Sequence, residues 1–263
     1  MKIALGIEYC GYQYYGWQRQ AIPNTVQEHV EKALSAVAAE QINITCAGRT
    51  DTGVHALQQV IHFDTAVERE LHAWVLGANT KLPADIAVTW AKQVADDFHA
   101  RFSALNRTYQ YLILNRRARP AIFNGRVTWE CRSLDVERMR LAATRLQGEH
   151  DFTSFRAAAC QAKSPVRTVH SLEIHRLENW FLLTICANAF LHHMVRNIAG
   201  VLMMIGSGKQ EVSWCEEVLL AKDRTAGGVT APPDGLYLVN VEYPEQYAIP
   251  RVSTLYEQLG LNL

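Results

Sequence analysis

The sequence has no long hydrophobic run. Its longest apolar stretch, Ile198 to Ile205, falls far short of the ~20 residues that a membrane-spanning helix needs. It has no C-x-x-C pair: Cys10, Cys46, Cys131, Cys160, Cys186 and Cys215 are scattered. That removes the spacing of a structural zinc site or a thioredoxin-type motif. The cysteines read as buried, reduced thiols of a cytoplasmic protein rather than as a disulfide framework. No secretory leader is expected, because Glu8 interrupts the first apolar stretch too early. There is no net charge either, with 26 Lys and Arg against 26 Asp and Glu, so the whole-chain balance gives no reason to expect a polyanionic partner. Nucleotide and metal motifs are missing as well. Gly206-Ser-Gly-Lys209 ends like a phosphate loop, but Gln210 follows the lysine and Met203 stands where the earlier glycine belongs. His192 and His193 are adjacent, so on a helix they would point apart and could not form an i, i+4 metal pair. Neither a zinc-deaminase signature nor an RNP1 segment is found.

What is there is a chain of 263 residues, 49% hydrophobic and 20% charged, able to bury a sizeable core and unlike a disordered or coiled-coil chain. Its charge is unevenly spread. Residues 101–170 hold thirteen cations, twelve of them Arg, against five acids, a surplus of eight that the rest of the chain cancels. Arginine forks suit phosphate, so this segment reads either as a solvated surface with scattered ion pairs or as a face that meets a polyanion.

The pattern of elements repeats. Residues 3–9 read as a strand. Thr25-Val-Gln-Glu28 is a capping box, opening a helix with Val26, Val30, Leu34 and Val37 on one stripe. Strands over 42–47 and 57–63 flank a loop, a helix spans 70–82 and a strand 86–94. In the second half, strands are expected at 109–114, 168–174, 180–186 and 236–243. Helices are expected at 136–146 and 191–205, with an extra one near 213–220. Each half follows β-α-β-β-α-β, giving an α+β fold of two ferredoxin-like halves, residues 1–104 and 105–263, with a cleft between them.

Three constellations stand out. The loop Gly48-Arg-Thr-Asp-Thr-Gly-Val-His55 holds Asp51 at its tip, with Arg49 two positions before. An Asx turn accounts for the Asp and the Gly, although Arg-Thr-Asp followed by Gly-Val-His is longer than a turn requires. Arg196 lies beside the deepest stripe of an apolar helix that contains no acid. A semi-buried guanidinium needs a partner from elsewhere in the fold or must reach water. Arg107-Thr-Tyr-Gln-Tyr111 opens a strand in the basic segment. Its Tyr109 and Tyr111 share one face, where a ring could stack on a base or simply fill core.

Five segments, in order, resemble the tRNA pseudouridine synthase A family over the whole chain: Tyr14–Gln20, Ala47–His55, Arg107–Tyr111, His192–Ile198 and Gly228–Tyr237. The resemblance implies a homodimer that isomerises uridine to pseudouridine in the anticodon arm of tRNA, at positions 38, 39 and 40, with no cofactor and no metal. It matches Asp51 to the catalytic aspartate, Arg196 to the arginine that pairs with it, Arg49 to the one that helps flip the base, and Tyr109 to the ring that packs on that base. A non-catalytic tRNA-binding protein on the same fold is the main rival. A glycoside hydrolase would need two cooperating carboxylates, and no second acid lies in the Asp51 loop or the Arg196 helix.

Overall fold

Alternating apolar residues make β1 (Lys2–Tyr9) the central strand of its unit, with Ile3, Leu5 and Ile7 fully buried. It runs antiparallel to β3 (His55–Asp64), pairing Ile3 with Phe63 and Leu5 with Ile61. On its other side it runs antiparallel to β4 (Ile86–Val94). The short β2 (Thr45–Cys46) pairs with β3. Helices α1 (Val26–Ala38) and α2 (Leu71–Asn79) complete this order, α1 burying Val26, Val30 and Leu34. Trp74 of α2 is fully buried and meets Phe63 edge-on, ring centroids 5.1 Å apart. Each such side chain contributes about 1.5–3 kcal/mol by leaving water.

This computed structural model describes residues 1–21 and 23–251. They form two compact units, residues 1–107 with 237–251, and residues 108–236. The second unit holds most of β5 (Asn106–Asn115), then β6 (Thr128–Glu130), α3 (Val136–Ala143), β7 (Gly148–Asp151), β8 (Val166–Leu177), β9 (Trp180–Ala187), α4 (Met194–Gly206) and α5 (Trp214–Ala221). β9 lies between β5 and β8, pairing antiparallel with β8, and β7 follows on the far side of β8. Among the described residues no helix is long and apolar enough to cross a membrane.

The α+β class and the order of the main elements follow the expectation, with instructive differences. β10 (Leu236–Glu242), expected to close the second half, lies parallel to β3, with Tyr237 opposite His55, and belongs to the first unit from Tyr237 onward. β6 and β7 are additional strands, too short to show periodicity. α2 stops at Asn79, where Lys81 and Leu82 both donate to the Ala78 carbonyl and Pro83 disfavours continued helix before it. The capping box does not form as expected, because Glu28 reaches past the N-cap Thr25 to the residue before it. Glu28 accepts from the Asn24 amide at 3.2 Å, whereas the Thr25 side chain makes no capping bond and lies buried.

Strand β3 is buried along nearly its whole length, polar residues included. His62 shows why. Its Nδ1 accepts the Ala100 amide at 3.1 Å, so the neutral ring is required. Burial, then the neighbouring His99 and Lys2 charges, lower its pKa from 6.5 to about 4. Between these values the unfolded chain binds the extra proton, so this contribution to stability is complete above about pH 6.5 and declines as pH falls towards 4. We expect the melting temperature to fall over that window, and His62→Gln to remove that part of the slope. An equally steep decline in the variant would assign the acid sensitivity to other groups.

Candidate active site

The Asp51 loop is held from below by β3 and from the side by residues 11–17. Buried Gln59 bonds Gly48 in both directions, its amide donating to the carbonyl and its carbonyl accepting the N–H. His55 Nδ1 accepts the Gly11 amide at 3.0 Å while its ring stacks on Tyr237, centroids 4.5 Å apart. Trp17 donates to the Thr50 carbonyl at 3.1 Å, and Tyr9 and Thr50 share a hydroxyl bond of 2.7 Å. The Val54 amide closes the turn on the Asp51 carbonyl at 3.1 Å. Two glycines permit this contact. A Cβ on Gly11 would lie 1.9 Å from the Val54 carbonyl oxygen. Gly16, at φ +84°, would bring one within 2.8 Å of the Thr50 oxygen. The result is a fixed loop presenting a half-buried Asp51 and an exposed Arg49.

The other two candidate residues lie in the second unit. Arg196 is half-buried on α4, and Val229 and Ala231 lie against the same helix. Its Nε donates to the Ala231 carbonyl at 2.9 Å, and the Ala231 amide returns a bond to the Arg196 carbonyl at 3.1 Å. One turn on, Gly200 makes this possible, since a Cβ there would sit 2.1 Å from the Val229 carbonyl oxygen. The same segment carries Asp234, which sequence reasoning missed. Burial raises its pKa above the usual carboxylate value, and the Arg196 charge opposes that rise. The signal available was its place in Pro232-Pro233-Asp234-Gly235, a turn whose amides and carbonyls must be claimed by neighbours.

Tyr109 and Tyr111 divide the roles left open between them. Tyr111 is core: its hydroxyl bonds Thr128 Oγ1 at 2.5 Å and the Pro232 carbonyl at 2.8 Å, and burial pushes its phenol well above the usual range. Tyr109 keeps 9% of its surface exposed and packs edge-on against Phe190, centroids 5.0 Å apart. Phe190, lying between elements, gave no periodic signal.

His192 and His193 are not on the helix as expected. α4 begins at Met194, and His193 caps it in the left-handed region at φ +63°. The two rings therefore lie beside one another, centroids 4.1 Å apart and tilted by 47°, instead of pointing away. Part of the basic segment is engaged within the protein. Arg132 pairs with Glu130, Arg138 serves the Ile205 and Gln210 carbonyls and Glu211, and Arg140 serves Glu137 and the Ile174 carbonyl. Arg116, Arg117, Arg119 and Arg126 remain exposed. A groove of about 670 Å³ beside α3 is lined by Asp135, Glu137, Arg138, Arg176 and Glu211 among others, and contains none of the candidate residues.

A family model described as tRNA pseudouridine synthase matches residues 6–103 and 142–244. The chain is 60% identical to tRNA pseudouridine synthase A of Nitrosococcus oceani, covering 96% of this chain and 98% of that protein. It is 60% identical to the Pseudomonas aeruginosa protein of the same name, over 95% and 88%, and 55% identical to that of Coxiella burnetii, over 95% and 96%. A chain in the solved structure titled "Crystal Structure of a Cbf5-Nop10-Gar1 Complex" aligns with 90% of this chain and 48% of its own, at 12% identity and a TM-score of 0.38, a likeness too slight to argue from.

Proposed function

The chain belongs to the tRNA pseudouridine synthase family, and on that premise we propose how its residues divide the work. The enzyme isomerises uridine to pseudouridine in tRNA. The N1–C1′ glycosidic bond breaks, the uracil turns, and a C5–C1′ bond forms. C5 loses its proton and N1 ends protonated, so atoms and electrons balance within the nucleotide. Such an isomerisation needs no redox equivalent, which supports a reaction without cofactor or metal.

A stacked uracil is out of reach, so the nucleotide is first flipped out, at a cost of roughly a few kcal/mol. Arg49, exposed beside the Asp51 turn, assists that step. Asp51 then acts as nucleophile or proton relay, with Arg196 as the arginine that pairs with it. Tyr109 packs on the freed base and keeps it from escaping while it turns. The observation that supports this division most is the Asp51 loop itself. Buried backbone bonds and two glycine contacts hold it rigid, a construction that a simple hairpin turn does not need.

The finer reading is that the substrate is the anticodon arm at positions 38, 39 and 40, met by a homodimer in the cytoplasm. The exposed arginines at 116, 117, 119 and 126 support a phosphate-contacting surface. Incubation with tRNA tritiated at uridine C5 tests the reaction. Tritium is released to water as the new carbon–carbon bond forms. Binding without release would favour a non-catalytic tRNA-binding protein, and free uracil would favour glycoside cleavage.

A further inference from the structure

The turn from His99 to Ser103 presents the most exposed aromatic ring among the described residues. Phe102 is 76% exposed, although it sits on an ordered base. One side of its ring stacks on the His99 imidazole, centroids 4.3 Å apart and planes 28° apart, and His99 leans on buried His62 at 4.8 Å. The three rings form a ladder from the core to the surface. The turn is held at every point. His99 Nδ1 accepts the amides of Arg101 and Phe102, each at 3.2 Å, and Ser103 bonds back to His99 through amide and hydroxyl. Arg107 donates to the Arg101 carbonyl at 2.7 Å and to the Ala47 carbonyl at 3.1 Å. Ala47 directly precedes the Gly48–His55 loop, so Arg107 ties the Phe102 turn to the base of the Asp51 loop.

The turn itself is basic, although Asp96 and Asp97 precede it. Residues 99–107 contain two arginines and no acid. Arg101 lies with its guanidinium carbon 5.6 Å from the Phe102 ring centroid. Arg101 and Arg49 are both near enough to Cys46 to oppose the burial that pushes its thiol up to about 11. A flat apolar ring on a rigid base, with the exposed Arg101 guanidinium beside it, has the composition of a site for single-stranded nucleic acid. A second copy of the same face would bring arginine against arginine.

We propose that Phe102 is a stacking platform for an unpaired base of the RNA substrate, with Arg101 and Arg49 meeting the phosphates beside it. This rests on the reading of the Asp51 loop as the reacting site, and it adds a second base contact on the same unit, outside the reacting nucleotide. Because the ladder is already ordered, the ring loses little freedom on binding.

The test compares Phe102→Leu and Phe102→Trp with the unaltered chain, using an unmodified tRNA transcript tritiated at uridine C5. Filter binding, tritium release, thermal melting and native mass are measured on each. The expected result is that Phe102→Leu weakens tRNA affinity about 5- to 100-fold, raises KM and leaves kcat within about twofold, a split expected when ground state and transition state lose the same contact. Phe102→Trp, which keeps a stacking face, restores affinity to within about threefold of wild type, and melting is unchanged in both. Unchanged affinity in Phe102→Leu overturns the proposal. So does a change of oligomeric state without a change of affinity, which would make the ring a contact between copies of the chain. Should the unaltered protein bind tRNA but release no tritium, the isomerase reading fails, while the affinity series still decides the role of Phe102.

Discussion

Asp51→Asn is expected to lose pseudouridine formation by about 10⁴-fold or more, the scale on which removing one member of a catalytic unit registers, while tRNA affinity stays within a few-fold. The substitution is nearly isosteric, and the loop around it is fixed through backbone groups: the Asp51 carbonyl accepts from Val54 and the Thr50 carbonyl from Trp17. Neither bond involves the carboxylate, so the turn should survive. What disappears is the negative charge and its ability to attack or to take a proton. Tritium release and filter binding on the same preparation check both halves of this expectation. Turnover near the wild-type rate would remove Asp51 from the chemistry, and a comparable collapse of binding would make it a substrate anchor instead.

Gly11→Ala should have the next largest effect, although residue 11 touches no substrate in the proposed mechanism. Its added Cβ would fall 1.9 Å from the Val54 carbonyl oxygen, a separation that no side-chain rearrangement relieves because the obstacle is backbone. Either residues 11–17 or the Asp51 loop must move. The overpacking should cost about 1–3 kcal/mol of stability. A displacement of the order of an ångström at a reacting group should lower kcat by about 100-fold. Assayed well below its melting temperature, the variant should bind tRNA nearly as well as wild type and turn over far more slowly. Wild-type kcat with only a lowered melting temperature would show that the loop tolerates the shift and that the close approach serves folding alone.

The contrast between these two residues shows what was legible beforehand. Asp51 could be singled out because two glycines bracket it in a polar loop between apolar strands, a local pattern. Gly11 could not, because its importance arises only when a segment more than forty positions away lies against it. The same division runs through the second unit. The helix around Arg196 advertised its own deficit, an arginine among apolar residues with no acid in reach along the chain. Only the fold supplied the Ala231 carbonyl and the neighbouring Asp234, and only Gly200 explains how they come so near.

The sequence by itself determined the α+β class, the order of the principal elements, the uneven charge and the residues whose types suit the chemistry. Each follows from periodicity, turn residues or side-chain type within a few neighbouring positions. Tertiary structure decided the rest. It sent β10 to β3 in the first unit and started α4 two residues after His192, bringing the His192 and His193 rings side by side. It buried Tyr111 while leaving Tyr109 slightly exposed, and it consumed several arginines of the basic segment on internal carbonyls and carboxylates. The reason is the same in each case. Backbone groups and charges taken from water must find partners, and which partner is within 3 Å depends on chain segments far apart in sequence.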